Sequence, residues 1–500
     1  MGRSGPVADS TATLEKSSSL LEPGRNCWRV ACAERAALIV DAADYYRHAL
    51  HAMLQARSQI LLIGWDVDTR VRLIDGDAPE GAPAGLGALL SWLARRRPEL
   101  HIHILAWDQG AISVPGRGTT FLRMLRWGLD RQIHVKWDHQ HPLDGSHHQK
   151  ILAIDDKLAF CGGIDITGSR WDTRRHKDEE PGRRRPFTGR AYEPWHDATM
   201  AVDGAAAEAI GDLARIRWEC ATGTPLPVPP RVGHDPWPGD LQPHFRDVEV
   251  AVARTRGKAG RIEEVREIEA LFVDLIRRAR RFVYVETQYF ASRVIAEAIG
   301  DRLAEPDGPE FVIVNPRTAY GWLDGKVMSP ARYHLVNALK EKDEGGRFAI
   351  YYPVTEGGAD IYVHAKIMIV DDCMLRVGSA NMNNRSMGLD SECDLLIDGS
   401  DDAQTRATIA EIRTDILAEH FGAEPAEVSA CFAETGSLIA CIERMRGHGR
   451  TLVPLEPEEP SAAEKKLAQS ELLDPEAADE LFEKRARPGL LSRLGRRRAG

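Results

Sequence analysis

The stretch from His364 to Asn381, HAKIMIVDDCMLRVGSAN, occurs twice in the chain. An earlier copy, HQKILAIDDKLAFCGGID, runs from His148 to Asp165. At a constant offset of 216 (364 − 148), His148 aligns with His364, Lys150 with Lys366, Ile151 with Ile367, Asp155 with Asp371, Asp156 with Asp372 and Gly162 with Gly378. A register held over a whole motif indicates an internal duplication.

The flanks repeat as well. From Ala36, AALIVDAADYYRHALHAMLQARS has apolar residues at helical spacing, and QILLIGWD follows as a buried strand. LGALLSWLARRRPE and TTFLRMLRWGLDR then read as helices, LHIHILAWD and QIHVKWD as strands, and the first motif follows. Seven prolines between Thr222 and Pro243 forbid a long helix and suit a linker. Beyond them the helix and strand alternation returns, from IEEVREIEALFVDLIRRARR through RFVYVETQYF and FVIVNP to RFAIYYPV, immediately before the second motif. The expected organisation is a flexible tail over 1–35, a first lobe over 36–221, a linker over 222–246, a second lobe over 247–452 and a charged, disordered tail over 453–500. The expected fold class is α/β: two tandem α-β-α sandwich lobes related by a pseudo-twofold axis, which brings equivalent residues together at the interface.

With 500 residues, 43% of them hydrophobic and 28% charged, the chain has enough apolar material for a large core. A net charge of −10 argues against a protein built to wrap nucleic acid, so no nucleic-acid partner is expected. The eight cysteines are scattered without a CxxC pair, which suits a reducing compartment, and a cytoplasmic location follows as the expectation. No apolar run reaches the roughly 18 residues needed to span a bilayer, so membrane contact is expected to be peripheral. A monomer is expected.

In each HxK, histidine and lysine stand at i and i+2 ahead of an apolar strand (ILAI, IMIV), which puts both on one face. An imidazole beside an ammonium suits chemistry at a phosphate: the cation neutralises oxygens while the imidazole attacks phosphorus or moves a proton. A single HxK is more often structural. The duplication reverses that, because two copies supply a nucleophile, an acid and a phosphate clamp to one cleft. Asp155 and Asp371 read from spacing alone as strand-end turn formers. Gly162, Gly163, Gly378 and Ser379 let backbone approach a ligand, with core packing as the other reading of the glycines, and Asn381 offers an amide to a phosphoryl oxygen.

HxKxxxxD followed by GG in one copy and by GSxN in the other resembles the paired HKD motifs of the phospholipase D superfamily. PWHD at Pro194 to Asp197, ETQYF at Glu286 to Phe290 and NRSMGLDSE at Asn384 to Glu392 extend the resemblance in the right order. ETQYF departs from the usual ENQYF at Thr287. The resemblance implies phospholipase D-like lobes and cleavage or transfer at the headgroup phosphodiester of glycerophospholipids, through a phosphohistidine and with no metal or other cofactor. It implies His148, Lys150, Asp155, His364, Lys366 and Asp371 as catalytic residues, with the family pattern favouring His148 as the attacking one. Asp197 is then expected to orient His148 and Glu392 to orient His364. Gly162, Gly163, Asp165, Gln288, Ser379 and Asn381 are expected around the phosphate. Cardiolipin synthase-type transfer, a superfamily nuclease and an inactive lipid-binding protein are the rivals, in that order.

Three other stretches invite a functional reading. DHQHPLDGSHHQK, with Asp138, His139, His141, Asp144, His147 and His148, suggests a metal site, but loop histidines beside a phosphate site have a simpler use as donors. The basic run from Arg170 to Arg190 reads as a solvated loop or a rim for a lipid headgroup. The closing cluster of Lys484, Arg485, Arg487, Arg493, Arg496, Arg497 and Arg498 reads as a solvated tail or a clamp for anionic lipid.

Overall fold

The computed structural model describes residues 20–460 apart from 108–118, 143–144, 187, 232, 261, 319–321 and 458. The strands of the first half are β1 (Arg29–Val40), β2 (Gln59–Gly64), β3 (His101–Trp107), β4 (Ile133–Asp138), β5 (Ile151–Ile154), β6 (Leu158–Gly162), β7 (Trp195–His196) and β8 (Ala198–Asp203). Those of the second are β9 (Phe245–Arg256), β10 (Val265–Arg266), β11 (Phe282–Glu286), β12 (Glu310–Val314), β13 (Phe348–Val354), β14 (Tyr362–Val363), β15 (Ile367–Val370), β16 (Met374–Gly378), β17 (Glu392–Asp398) and β18 (Thr451–Pro454).

A single sheet runs through both halves in the order β4-β3-β2-β5-β6-β8-β1-β9-β17-β16-β15-β11-β12-β13-β18, with β10 beside β9. Outward from the antiparallel pair β1 and β9 the two arms repeat: β8 answers β17, β6 answers β16, β5 answers β15, and β2, β3 and β4 answer β11, β12 and β13. Within the arms β2–β3–β4 and β11–β12–β13 are parallel, whereas the strands nearer the axis, and β18 at the edge beside β13, are antiparallel. This is the expected pseudo-twofold, and it passes through the β1–β9 pair.

Helices cover both faces. Gly204–Thr222 and Ala403–Phe421 lie on one face and share a core that takes residues from both arms, among them Ile210, Leu213, Ile412 and Leu417. On the other face each arm has its own core, under Ala42–Gln55 and Leu86–Arg96 in the first and under Glu267–Arg278 and Arg293–Leu303 in the second. Parallel strands with both faces covered need continuous apolar runs, and QILLIG in β2 is buried throughout. Each such aliphatic side chain contributes about 1.5–3 kcal/mol on burial.

Four expected boundaries shift. Ala36–Val40 is the end of β1 rather than the start of a helix, because it pairs with Ala198–Val202; the helix begins at Ala42, after Asp41 turns the chain at φ 67. The N-terminal tail is anchored well before residue 35: Leu20 and Cys27 are buried and β1 starts at Arg29. The Pro-rich linker packs Trp237 and Leu241 into the first arm's core, and β9 begins inside it at Phe245. Past 452 the chain continues in β18 against β13 and buries Leu455. The acidic and basic C-terminal segment from 461 on lies outside the described residues, as does the part of the expected tail before residue 20.

Candidate active site

Each HxK lies on the extended lead-in to a strand, β5 for His148 and Lys150, β15 for His364 and Lys366. These lead-ins dock on the opposite half. β14 pairs in parallel with β7, and the His364 N–H donates to the carbonyl of His196 at 2.7 Å. Symmetrically, the His148 N–H donates to the carbonyl of Ser391 at 3.0 Å, and the Ser391 N–H to that of Ser146 at 3.0 Å. The residue after each accepting carbonyl is the carboxylate that meets the ring. His148 Nδ1 lies 2.9 and 3.0 Å from the Glu392 oxygens, and His364 Nδ1 lies 2.7 Å from Asp197 Oδ2. The expected pairing is thus reversed: Glu392 orients His148 and Asp197 orients His364. Docking across the seam causes the exchange, since each lead-in is bonded to the segment that carries the other half's carboxylate.

With Nδ1–H donating to a carboxylate, each ring turns Nε2 away from it. Glu392 also accepts the hydroxyls of Ser379 at 2.5 Å and Ser386 at 2.7 Å. Burial would raise its carboxyl, but the charge and hydrogen bond of His148, with Lys150 and Ser379, bring it down to about 2. Around His364 the balance is opposite. Burial raises Asp197 against the pull of Lys366 and the Ala198 N–H. Burial, then the charges of Lys366, Arg170, Lys150 and His148, push the His364 imidazole well below its ordinary value. Both copies therefore act in one electrostatic field. Lys150 Nζ donates to the His148 carbonyl at 2.9 Å and lies 3.3 Å from Asp165 Oδ2. Lys366 Nζ donates to the His364 carbonyl and reaches Gln288 Oε1 at 3.4 Å; burial lowers it to about 7, partly offset by Asp197.

A family model described as the phospholipase D-like domain of cardiolipin synthase matches residues 272–412. Phospholipase D alpha 1 of Brassica oleracea var. capitata is 24% identical over 79% of this chain and 65% of its own length. Phospholipase D1 of Saccharomyces cerevisiae is 23% identical over 77% of this chain and 29% of its own. The chain thus spans less than two thirds of the length of these curated relatives. The crystal structure of phosphatidylserine synthase from Haemophilus influenzae superposes at a TM-score of 0.53 with 13% identity, over 83% of this chain and 97% of that one, which shows a common fold. The chain is thus similar to phospholipase D proteins over most of its length and matches a phospholipase D-like domain over residues 272–412.

Not every residue of the superfamily motifs is at the site. Asp155 and Asp371 close β5 and β15 at the end away from the histidines, seven residues or about 23 Å of extended chain from them. Asp155 accepts the N–H groups of Arg57, Ser58 and Gln59 at 2.6–2.9 Å, and Asp371 those of Arg280, Arg281 and Phe282 at 2.7–2.9 Å. Their catalytic assignment is corrected to a structural one: each ties a turn to the start of a neighbouring strand. Gly162 makes room for β8, where a Cβ would come within 2.4 Å of Thr199 Cα; Gly163 makes room for Asp197 and Gly378 for Asp394. Close approach is required at all three, but by the protein's own strands and carboxylates rather than by a ligand. Ser379 is occupied by Glu392.

Asp165, Gln288 and Asn381 do sit at the lysines. Asp165 also takes the Trp65 N–H at 2.9 Å. Gln288 donates to the hydroxyls of Tyr289 and Tyr362 at 3.0 Å each, and Asn381 Nδ2 reaches Gln288 Oε1 at 3.5 Å. Arg170, Trp195 and Tyr362 were not singled out by residue. The Arg170 guanidinium lies 4.2 Å over the Trp195 ring, which stacks on Tyr362 at 4.6 Å and stands 5.2 Å from the His364 ring. The tryptophan of PWHD was the available signal. The rest of the basic run divides: Arg184 and Arg185 are exposed, as a rim requires, whereas His176 and Arg183 are buried against Asp172. In the histidine-rich loop Asp138 is engaged by Arg217 at 2.5 Å and His147 by Ser391 at 2.9 Å, while Asp144 lies outside the described residues.

Proposed function

We propose that the protein is a phospholipase D-like phosphodiesterase and transphosphatidylase that cleaves the headgroup ester of glycerophospholipids. The observation that carries this is the pair of imidazoles, each held in one tautomer by a buried carboxylate from the opposite half and each with an ammonium two residues on. The phospholipase D-like domain match and the phospholipase D relatives support the substrate class.

One Nε2 attacks phosphorus, the bond from phosphorus to the headgroup oxygen breaks, and the other imidazolium gives its proton to the departing alkoxide. That histidine, now neutral, takes a proton from water or an acceptor alcohol. The oxygen attacks the phosphohistidine, and phosphatidic acid or a new phosphatidyl ester leaves. Lys150 and Lys366 neutralise the nonbridging oxygens. We assign attack to His364, the imidazole kept neutral by burial and surrounding cations. We assign proton transfer to His148, which faces an ionised Glu392 and is the more open of the two, with 15% side-chain exposure against 6%. The resemblance favoured the other order, and trapping decides between them.

The route uses no metal ion. We propose that it acts peripherally at a membrane surface as a monomer; a phospholipid substrate supports the membrane contact, and the eight free cysteines support the cytoplasmic face. The match to the cardiolipin synthase domain favours a second reading, transfer to a phosphatidylglycerol acceptor. Incubation with mixed phospholipids, with and without a primary alcohol, tests both by mass spectrometry. Phosphatidic acid, replaced by a phosphatidyl-alcohol when alcohol is present, is the expected result; cardiolipin as the main product establishes the second reading, and intact phospholipids overturn both.

A further inference from the structure

Directly behind Asp197, on the seam between the two halves, Asp41, His176, His196 and Glu419 close a fully buried ring that the proposed reaction does not use. Carboxylate and imidazole alternate around it. His176 Nε2 lies 3.3 Å from Asp41 Oδ2 and 3.0 Å from Glu419 Oε1; His196 Nδ1 lies 3.0 Å from Glu419 Oε1 and 3.4 Å from Asp41 Oδ1. Four donors about 2.0–2.2 Å from a tetrahedral centre stand about 3.3–3.6 Å from one another; here the carboxylate–imidazole edges, reached through both oxygens of Asp41, are 3.0–3.4 Å and one donor atom from each residue lies within 4.8 Å of the others, close to the size of a closed structural zinc site.

Hydrogen bonding alone leaves the ring incomplete. Among the described residues Asp41 Oδ2 and His196 Nδ1 are buried and make no hydrogen bond, although an imidazole nitrogen lies 3.3 Å from the first and a carboxylate oxygen 3.0 Å from the second. The distances are those of a hydrogen bond and the directions are not, as expected when the atoms point between their neighbours. The remote ring nitrogens are supported as metal-bound histidines usually are, by a carboxylate. His196 Nε2 lies 2.8 Å from Glu286 Oε2, and His176 Nδ1 lies 3.2 Å from Asp172 Oδ2. Charge points the same way. Of the carboxylates Asp41, Asp172, Glu286 and Glu419, two meet a guanidinium directly, Asp172 that of Arg183 and Glu419 that of Arg174. With neutral imidazoles, one divalent cation balances the other two.

We propose that Asp41, His176, His196 and Glu419 bind one divalent cation in tetrahedral geometry, with zinc preferred by the two-nitrogen, two-oxygen donor set. The ion is structural. It joins three donors of the first half to one from the helix Ala403–Phe421 of the second. It also fixes Asp41, whose Oδ1 accepts the Asp197 N–H at 3.1 Å and so supports the carboxylate behind His364. The rival occupant is a pair of protons, which would make both imidazoles cationic. A second group, His48, His51 and Asp240, is more open, and Arg47 already pairs with Asp240; it serves as the control.

Full-length protein from zinc-supplemented culture, washed with EDTA while folded, should carry one zinc per chain by elemental mass spectrometry. His176→Gln and Glu419→Gln should each lose it, and His51→Ala should keep it. Should those two variants fail to fold, wild type unfolded with chelator and refolded with cobalt should show the intense visible bands of a tetrahedral site. Refolding with zinc should also raise its Tm by several degrees over the metal-free sample. Wild type that holds no metal as purified or after refolding with zinc or cobalt, metal retained in both glutamine variants, or loss confined to His51→Ala would each overturn the site.

Discussion

The two copies of the motif occupy matching places in one sheet, yet they hold their lysines differently. Lys150 faces a carboxylate, Asp165, whereas the position equivalent to Asp165 is Asn381, and Lys366 faces the neutral amide of Gln288. The first ammonium is ion-paired with an acid of its own half. The second is buried without an adjoining acid of its own half and drops to about 7. The carboxylates behind the histidines divide as well: Glu392 is ionised by hydroxyls and His148, while burial raises Asp197. The repeat places matching half-sites in one sheet, and under the proposed mechanism the differences around them suit one half to proton donation and the other to attack. The crossed docking of the lead-ins keeps these unequal halves in one unit.

Removing either histidine breaks that unit. His148→Ala and His364→Ala should each lower turnover by about 10⁴-fold or more, and the double variant should add little, because parts of one catalytic unit are non-additive. The comparison predicts where they differ. With a leaving group that needs no protonation, His148→Ala should still accumulate a phosphohistidine after acid quench, read by intact mass, and His364→Ala should not. Trapping in the reverse pattern would show that bound phosphate, rather than the resting charges, sets the roles.

The crossed pairing is checked next. Glu392→Gln and Asp197→Asn should each cost about 10²–10⁴ in kcat by loosening the tautomer of one ring. The low-field Nδ1–H resonance of His148, identified by its loss in His148→Ala, should disappear in Glu392→Gln and persist in Asp197→Asn. The converse would restore the pairing expected from motif order.

The lysines give a pH effect. Lys366 is lowered in the folded chain, so between about pH 7 and its unfolded value near 10.4 the unfolded state holds the extra proton and folding gains stability as pH rises. Oxyanion binding needs the charged form and runs the other way. Inhibition by sulfate, whose charge is constant over this range, should weaken several-fold as pH climbs past 7. Asn381→Asp, which gives the second half the acid that the first half has, should move that weakening to higher pH.

Much of the plan is legible in sequence: the duplication, the outer strands and the two HxK pairs follow from register and apolar runs. The central strands are not. RVACAERAALIV and FRDVEVAVARTR carry charge and small residues, and what makes them strands is pairing with each other, a contact more than 200 residues apart in the chain. The crossing of carboxylates was hidden for the same reason, since motif order says which residues belong to a site but not which half's loop reaches across. Gly162, Gly163 and Gly378 showed that space was needed without showing that the protein's own strands and carboxylates fill it.

The smallest effect on catalysis is expected at the third member of each motif, where the halves again differ. Asp155 accepts three backbone N–H groups and the Ser58 hydroxyl and also meets His234 from the Pro-rich segment at 2.9 Å; Asp371 accepts its three N–H groups at a more exposed turn. Both turns hold their two aspartates at positive φ, between 53 and 56. An amide in place of the carboxylate keeps the shape but presents an N–H where an acceptor is needed, which costs about 1–3 kcal/mol when the facing donors are buried. Asp155→Asn should therefore destabilise the protein more than Asp371→Asn in urea unfolding. In both, kcat per folded molecule should stay within about twofold of wild type, because the turns lie roughly 23 Å of strand from the imidazoles. A large fall in kcat with unchanged stability would return these aspartates to the chemistry and undo the distinction between the two ends of the motif.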